Sequence, residues 1–267
     1  DTRRKFAAAR VKIGNKTVTL TGICKGAGMI GPRLAGANGR VLTIGRAPAM
    51  RGAQGTMLAY LLTDLNAAPR QLQSLLEAAT AVSFNNVTID NHTSTNDTAV
   101  LLASGASGAR LKDRASILTF AGALEAVCTS LARQIAADGE GATKLVTVQV
   151  RGAKSARDAN LIARTIADSA LVKCALHGND PNWGRIVSAA GYSGAAFVPE
   201  KSVLKLQKTT VYRAGKPVSF DPAAVSASMN APELLIDLDC KLGDGSAAVW
   251  TCDFSKEYVT INADYHT

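Results

Sequence analysis

The sequence predicts an α/β fold, a layered sandwich of mixed sheets and helices with a smaller strand-rich C-terminal lobe. Three observations carry this. Up to about Ser169 the apolar pattern switches repeatedly between strand and helix spacing, in the order hairpin, strand, helix, strand, helix, strand, helix. From Val203 onward, short alternating runs dominate. Hydrophobic residues make up 47% and charged residues 19% of 267, which excludes a disordered chain and supplies enough apolar mass for one large domain or two packed ones.

The elements follow in order. Val11-Lys12-Ile13 and Thr17-Val18-Thr19-Leu20 alternate around Gly14-Asn15, a hairpin signal. The second run leads to Lys25 and a turn containing Gly26, Gly28 and Gly31, where missing β-carbons leave the backbone open and the lysine offers a cation for a carboxylate. Taken alone, such a lysine reads better as a solvated surface residue. The segment 34–54, with Gly36, Gly39, Gly45, Gly52, Arg40, Arg46, Arg51 and Pro48, reads as a mobile loop.

Gly55-Thr56-Met57-Leu58-Ala59-Tyr60-Leu61-Leu62-Thr63-Asp64 then reads as a buried strand entered through glycine, with Thr56 at the open end of a sheet. A threonine hydroxyl is a weak nucleophile until a base takes its proton. One solution makes the threonine a chain terminus whose own α-amine is that base.

Pro69 suits a first helical turn, and Leu72, Leu75, Leu76, Ala79 and Val82 continue a helical stripe. Val87 to Asp90 reads as a short strand. The polar loop from Asn91 to Thr98 is expected to cap a helix from Thr98 to Ser104. Its alternation of Asp90, His92, Ser94 and Asn96 misses a calcium loop, because Thr95 stands where glycine is required, so no metal is expected. Leu124, Val127, Cys128, Leu131 and Ile135 mark a second amphipathic helix ended at Gly139.

Asp138 to Lys144 is a tight turn into the strand from Leu145 to Val150, and Glu140 at its mouth is placed to bind an α-ammonium group, although a lone acid there is more often solvated. Ser155-Ala156-Arg157-Asp158 has capping-box spacing for a helix to about Ser169. Asp180-Pro181-Asn182-Trp183 sets a turn, with Trp183 directed to a core. None of His92, His177 and His266 has a partner in a recognised nucleophile turn. Strands are expected at Val203–Leu206, Thr209–Tyr212, Leu234–Cys240, Ala247–Phe254 and Tyr258–Ile261, followed by a polar tail from Asn262 to Thr267.

A formal net charge of +9 fits nucleic acid or anionic small molecules. The bases are dispersed and aromatics are only 5%, so small molecules are favoured. No apolar run approaches the roughly 18 residues of a membrane span, and no secretory signal opens the sequence as given. Five scattered cysteines without a Cys-x-x-Cys pair read as buried free thiols in a reducing compartment. The sequons at Asn15, Asn86, Asn91 and Asn96 then carry no glycan.

Taken together, Lys25-Gly26-Ala27-Gly28-Met29-Ile30-Gly31-Pro32, the Thr56 run, Thr93-Ser94-Thr95-Asn96-Asp97-Thr98, Asp138-Gly139-Glu140-Gly141-Ala142-Thr143-Lys144, Asp180-Pro181-Asn182-Trp183-Gly184-Arg185-Ile186 and Asn262-Ala263-Asp264-Tyr265-His266-Thr267 resemble, in this order, the ornithine acetyltransferases, or bifunctional glutamate N-acetyltransferases, of arginine biosynthesis. The resemblance implies a sandwich of the ornithine acetyltransferase type. It also implies self-cleavage between Gly55 and Thr56, with Thr56 as the nucleophile that carries an acetyl group from N2-acetyl-L-ornithine to L-glutamate.

By the same resemblance Lys25, Thr56, Glu140, Asn262 and Thr267 bind substrate, and the Asn91–Thr98 loop borders the cleft. No metal or cofactor is implied, although acetyl-CoA is a co-substrate in bifunctional members. The partners implied are amino-acid substrates, with associated α and β chains in a homo-oligomer of αβ units and neither nucleic acid nor membrane. The location implied is the cytoplasm, or an organelle in a eukaryote. Residues 1–55 then form the end of an α-chain region, 56–200 the β-chain α/β core and 201–267 the C-terminal lobe.

Three departures stand out. Lys25 and Thr56 lie 31 positions apart rather than close together, and Gly55 replaces the alanine usual before the threonine. Asp1 resembles the middle of the family's α chain, so the oxyanion donors are expected from outside this chain and the chain alone is expected to be a poor acetyltransferase. Two other classes remain open: a non-catalytic relative keeping the fold, and another N-terminal nucleophile enzyme such as an aminopeptidase.

Overall fold

A computed structural model describes residues 1–35 and 56–264. The strands are β1 (Lys5–Ile13), β2 (Lys16–Lys25), β3 (Leu58–Thr63), β4 (Thr98–Ala103), β5 (Leu145–Ala153), β6 (Val203–Leu206), β7 (Thr209–Arg213), β8 (Lys216–Pro217), β9 (Glu233–Asp239) and β10 (Gly245–Cys252). The helices are α1 (Pro69–Val82), α2 (Arg114–Ala137), α3 (Ala156–Asp168), α4 (Ala170–His177), α5 (Trp183–Gly191), α6 (Pro222–Ser228) and α7 (Lys256–Asp264). They divide into two compact units, Asp1–Asn85 with His92–Ile135, and Asn86–Asn91 with Ala136–Thr267.

The first unit is built on a four-stranded sheet in the order β1-β2-β3-β4. The β1–β2 hairpin and the β2–β3 pair are antiparallel, while β3 and β4 are parallel, joined through α1. Leu58 pairs with Lys25 on one side and Thr98 on the other, which brings three regions of the sequence to one end of the sheet. Val127 and Leu131 of α2 reach the sheet over Gly22, whose missing side chain leaves room for them. By length and composition α2 is apolar enough to cross a membrane, yet Leu124, Val127 and Leu131 are buried in this unit. Phe6, Ile23, Tyr60, Leu62 and Leu102 are exposed, and the first three lie side by side across β1, β2 and β3.

The second unit is built on a six-stranded sheet in the order β10-β5-β9-β6-β7-β8. Next to its β10 edge lies β5, antiparallel to β10 and parallel to β9. Val146, Val148 and Val150 on β5 join Ile162 and Ile166 of α3, Leu204, Ile236, Leu238 and Val249 in one buried cluster. Helix α3 starts as its sequence signals, with Ser155 accepting from the Asp158 amide. Trp183 stacks on Tyr212 at 5.3 Å between ring centroids and packs against that core.

Several expected elements differ. Residues from Thr98 form strand β4 rather than a helix, because they pair along β3 from Thr98 to Ala103. Tyr258 to Ile261 lie in α7 rather than a strand, so Asn262 projects from a helix and not from a loose tail. Val87 makes a single bridge to Trp250 in place of a strand from Val87 to Asp90. The strands after Val203 share their sheet with β5, so the packing boundary near Ala136 differs from the sequence division at 201. Cys174 is exposed where buried thiols were expected.

Candidate functional site

In the first unit, strand pairing sets Thr56 two residues ahead of β3, beside the turn that leaves β2 at Lys25. Gly26 allows this approach. Its φ of +150° is one that side chains rarely adopt, and a Cβ there would lie 3.0 Å from the Thr56 carbonyl oxygen and 2.9 Å from Ile30. The Gly26 amide donates to Asp1 Oδ1 at 3.0 Å, which fixes the turn. Lys25 is exposed.

Thr56 Oγ1 stands 3.0 Å from the Met29 carbonyl oxygen and 3.1 Å from Asp97 Oδ1. A hydroxyl has one proton and can donate it to only one of these acceptors at a time. Asp97 is itself held firmly. Oδ1 also accepts from the Met57 amide at 3.1 Å and from Ser94 Oγ at 2.5 Å, while Oδ2 accepts from the Ser94 amide at 3.2 Å. Thr93 Oγ1 donates to the Gly31 carbonyl at 2.8 Å, joining this loop to the glycine-rich turn. The Ser/Thr/Asn/Asp loop therefore closes on Thr56 instead of capping a helix. Among the described residues, no group of three or more His, Cys, Asp or Glu is placed to hold a metal ion.

In the second unit, Glu140 and Asn262 are brought together. Asn262 Nδ2 donates to Glu140 Oε2 at 3.0 Å and to the Tyr258 carbonyl at 2.9 Å. The turn carrying Glu140 meets the start of α7 closely. Gly141 has a φ of +67°, and a Cβ there would lie 2.4 Å from the Tyr258 nitrogen. Ser255 Oγ donates to the Gly141 carbonyl at 2.6 Å. Tyr258 stacks on Phe254 at 4.7 Å, and its hydroxyl is pushed up to about 12 by burial, with Asp90 and Glu140 adding to the shift.

Behind the turn, buried Asp253 accepts from the Thr143 amide at 2.8 Å, the Lys144 amide at 2.9 Å, Thr143 Oγ1 at 2.6 Å and His177 Nδ1 at 2.7 Å. Burial raises its carboxyl, but the bonds from Thr143, His177 and Lys144 outweigh that and hold it below the ordinary value of 3.8. Lys173, fully buried, donates to Thr251 Oγ1 at 2.7 Å and to the Cys252 carbonyl at 2.6 Å, and lies 4.6 Å from the Phe254 ring centroid. It anchors the chain just before Asp253.

Of the residues singled out in the sequence, Thr56 and Lys25 belong to the first unit, and Glu140 and Asn262 meet in the second. Gly55 and Thr267 lie outside the described residues, as does most of segment 34–54. Sequence reasoning assigned no role to Asp97 or Asp253. Asp97 lies in the Thr93–Thr98 loop with no local sequence sign of its contact to Thr56. The carboxylate partner of His177 lies 76 positions away, beyond any spacing rule.

A family model described as the ArgJ family matches residues 1–267. The curated protein "Arginine biosynthesis bifunctional protein ArgJ" of Chlorobium chlorochromatii is 42% identical over 267 residues, which are all of this chain and 58% of that protein. The protein of the same name from Deinococcus radiodurans is 43% identical over 267 residues, 61% of its own length. The chain thus spans about three-fifths of the length of these curated relatives. A crystal structure of arginine biosynthesis bifunctional protein argJ from Bacillus halodurans superposes with a TM-score of 0.74 at 38% identity, covering 76% of this chain and 96% of the solved one.

Proposed function

This chain belongs to the ArgJ family, and from that premise we propose that it serves acetyl transfer from N2-acetyl-L-ornithine to L-glutamate through an acetyl ester on Thr56. The ester forms after the chain is split between Gly55 and Thr56. The observation that carries the reading is Thr56 Oγ1, poised at the entrance of β3 within 3.1 Å of a carboxylate oxygen and 3.0 Å of a carbonyl oxygen. A second observation supports the split. Since 76% of 267 residues makes up 96% of the solved Bacillus halodurans chain, that chain is close in length to the stretch from Thr56 to Thr267.

Once freed, the Thr56 α-amine acts as base, because an unperturbed α-amine has a pKa of about 8 and is partly neutral near pH 7. It takes the hydroxyl proton as Oγ1 adds to the acetyl carbon of N2-acetylornithine. It returns that proton to the departing α-amine of ornithine, leaving acetyl-Thr56. Glutamate then brings its own α-amine to the ester carbon, and the Thr56 hydroxyl is regenerated. Lys25 serves a substrate carboxylate, Glu140 an α-ammonium group, and Asn262 holds Glu140 in place. The scheme needs no metal or redox cofactor.

Denaturing mass spectrometry tests the first step and a transfer assay the second. Wild-type protein is expected as two pieces with Thr56 at the start of the larger, and Thr56→Ala as one inactive piece. Full transfer activity in an intact wild-type chain would overturn the scheme.

A further inference from the structure

We propose that Asp97 is the base for the self-cleavage step that frees Thr56, a role the threonine's own amine cannot fill. This rests on the reading that the chain is split before Thr56. Until the Gly55–Thr56 bond breaks, the Thr56 nitrogen is an amide whose lone pair is delocalised into the carbonyl group. It is not a base, yet the hydroxyl must still lose a proton to attack.

Thr56 Oγ1 has two acceptors, the Met29 carbonyl oxygen at 3.0 Å and Asp97 Oδ1 at 3.1 Å. A peptide carbonyl oxygen is far too weak a base to accept the hydroxyl proton, whereas a carboxylate can serve as a general base. The distance to Asp97 lies within the reach expected of a general base. The carboxylate is also oriented in advance, by the Met57 amide and by both the amide and the hydroxyl of Ser94.

The proton passes from Thr56 Oγ1 to Asp97 Oδ1 as Oγ1 bonds to the Gly55 carbonyl carbon. The C–N bond of the adduct then breaks, and Asp97 returns the proton to the Thr56 nitrogen. This leaves Gly55 esterified to Oγ1 beside a free amine. Water adds to the ester, releasing the Gly55 carboxylate and restoring the hydroxyl. From then on the amine is the base and Asp97 only positions the side chain.

The test follows splitting with time, by denaturing mass spectrometry, in wild type, Thr56→Ala, Asp97→Asn and Asp97→Ala, with circular dichroism to identify folded variants. Asparagine keeps the shape and can accept from the same hydroxyl and amide, so a merely orienting Asp97 would leave the rate of Asp97→Asn at the wild-type value. The expected result is splitting slowed about 10²–10⁴-fold. Added formate is expected to restore splitting in Asp97→Ala by supplying a carboxylate to the vacated space, a response that a structural role would not give. Wild-type splitting in folded Asp97→Asn overturns the proposal, and where that variant does not fold, absence of formate rescue overturns it. An intact wild type sinks the cleavage reading and this proposal together. A wild type that splits, beside an inert Thr56→Ala and a normal Asp97→Asn, sinks this proposal alone.

Discussion

Asn262 Nδ2 reaches Glu140 Oε2 at 3.0 Å, so a residue on the last described helix holds the carboxylate of a turn 122 positions earlier. Asn262 is exposed, and an exposed neutral-to-charged contact adds little to folding. Its consequence is direction: Glu140 is held in one orientation.

Asn262→Ala is therefore expected to change folding stability by less than about 1 kcal/mol while raising the KM for the amino-acid acceptor. Glu140→Gln removes the charge itself and is expected to raise KM further, by about 10- to 100-fold for a contact worth roughly 1.5–3 kcal/mol. Urea unfolding and steady-state kinetics check the two parts separately. Equal, unchanged KM values would make both residues ordinary surface groups.

Gly141→Ala is expected to destabilise the protein by about 1–3 kcal/mol through strain at positive φ, and to weaken substrate binding as well. The added Cβ meets backbone, 2.4 Å from the Tyr258 nitrogen, so the start of α7 must move and Asn262 with it. Thermal unfolding and KM should shift together.

Acid should weaken the protein through Asp253. Its carboxyl titrates below the ordinary value of 3.8 in the folded state, so the unfolded chain takes up its proton first as pH falls. The stabilisation is complete above pH 3.8 and is lost as pH falls through the lower folded value. Asp253→Asn is expected to flatten that acid limb, and to lower stability at neutral pH by about 1.5–3 kcal/mol per charge-assisted bond lost. Urea midpoints measured from pH 2 to 7 give both effects.

Native thiol labelling should report one fast group. Burial pushes Cys24 and Cys128 up to about 12 and Cys240 up to about 11, and it also raises Cys252, so none of these supplies thiolate near neutrality. Cys174 is the exposed cysteine. Ellman's reagent is expected to titrate one thiol in folded protein and five in denaturant, with Cys174→Ser removing the fast one.

What the sequence made legible was local. Pro69 and the Leu72–Ala79 stripe marked α1, Ser155 marked the start of α3, and the glycine before Thr56 marked the entrance to β3. The failures were set by distant contacts. Thr98–Ala103 is a short apolar run compatible with either helix or strand, and its pairing with β3 decides the matter. The run Tyr258-Val259-Thr260-Ile261 favours a strand by residue type, yet it forms a helix docked on Gly141 and Glu140. Thr56 stood out by its setting. Asp97, 41 positions away, is joined to it only once β3 and β4 lie side by side.

Strand β5 has a further consequence for how the protein comes into being. Val148 lies between Ile236 on one side and Val249 on the other, both supplied by much later parts of the chain. At a synthesis rate of about 5–20 residues per second, a valine-rich strand emerges with both edges open and waits roughly 5–20 s for its neighbours. Open edges invite pairing with other chains. The hazardous interval for the second unit is thus set by the pace of the ribosome, and it closes only when β10 arrives.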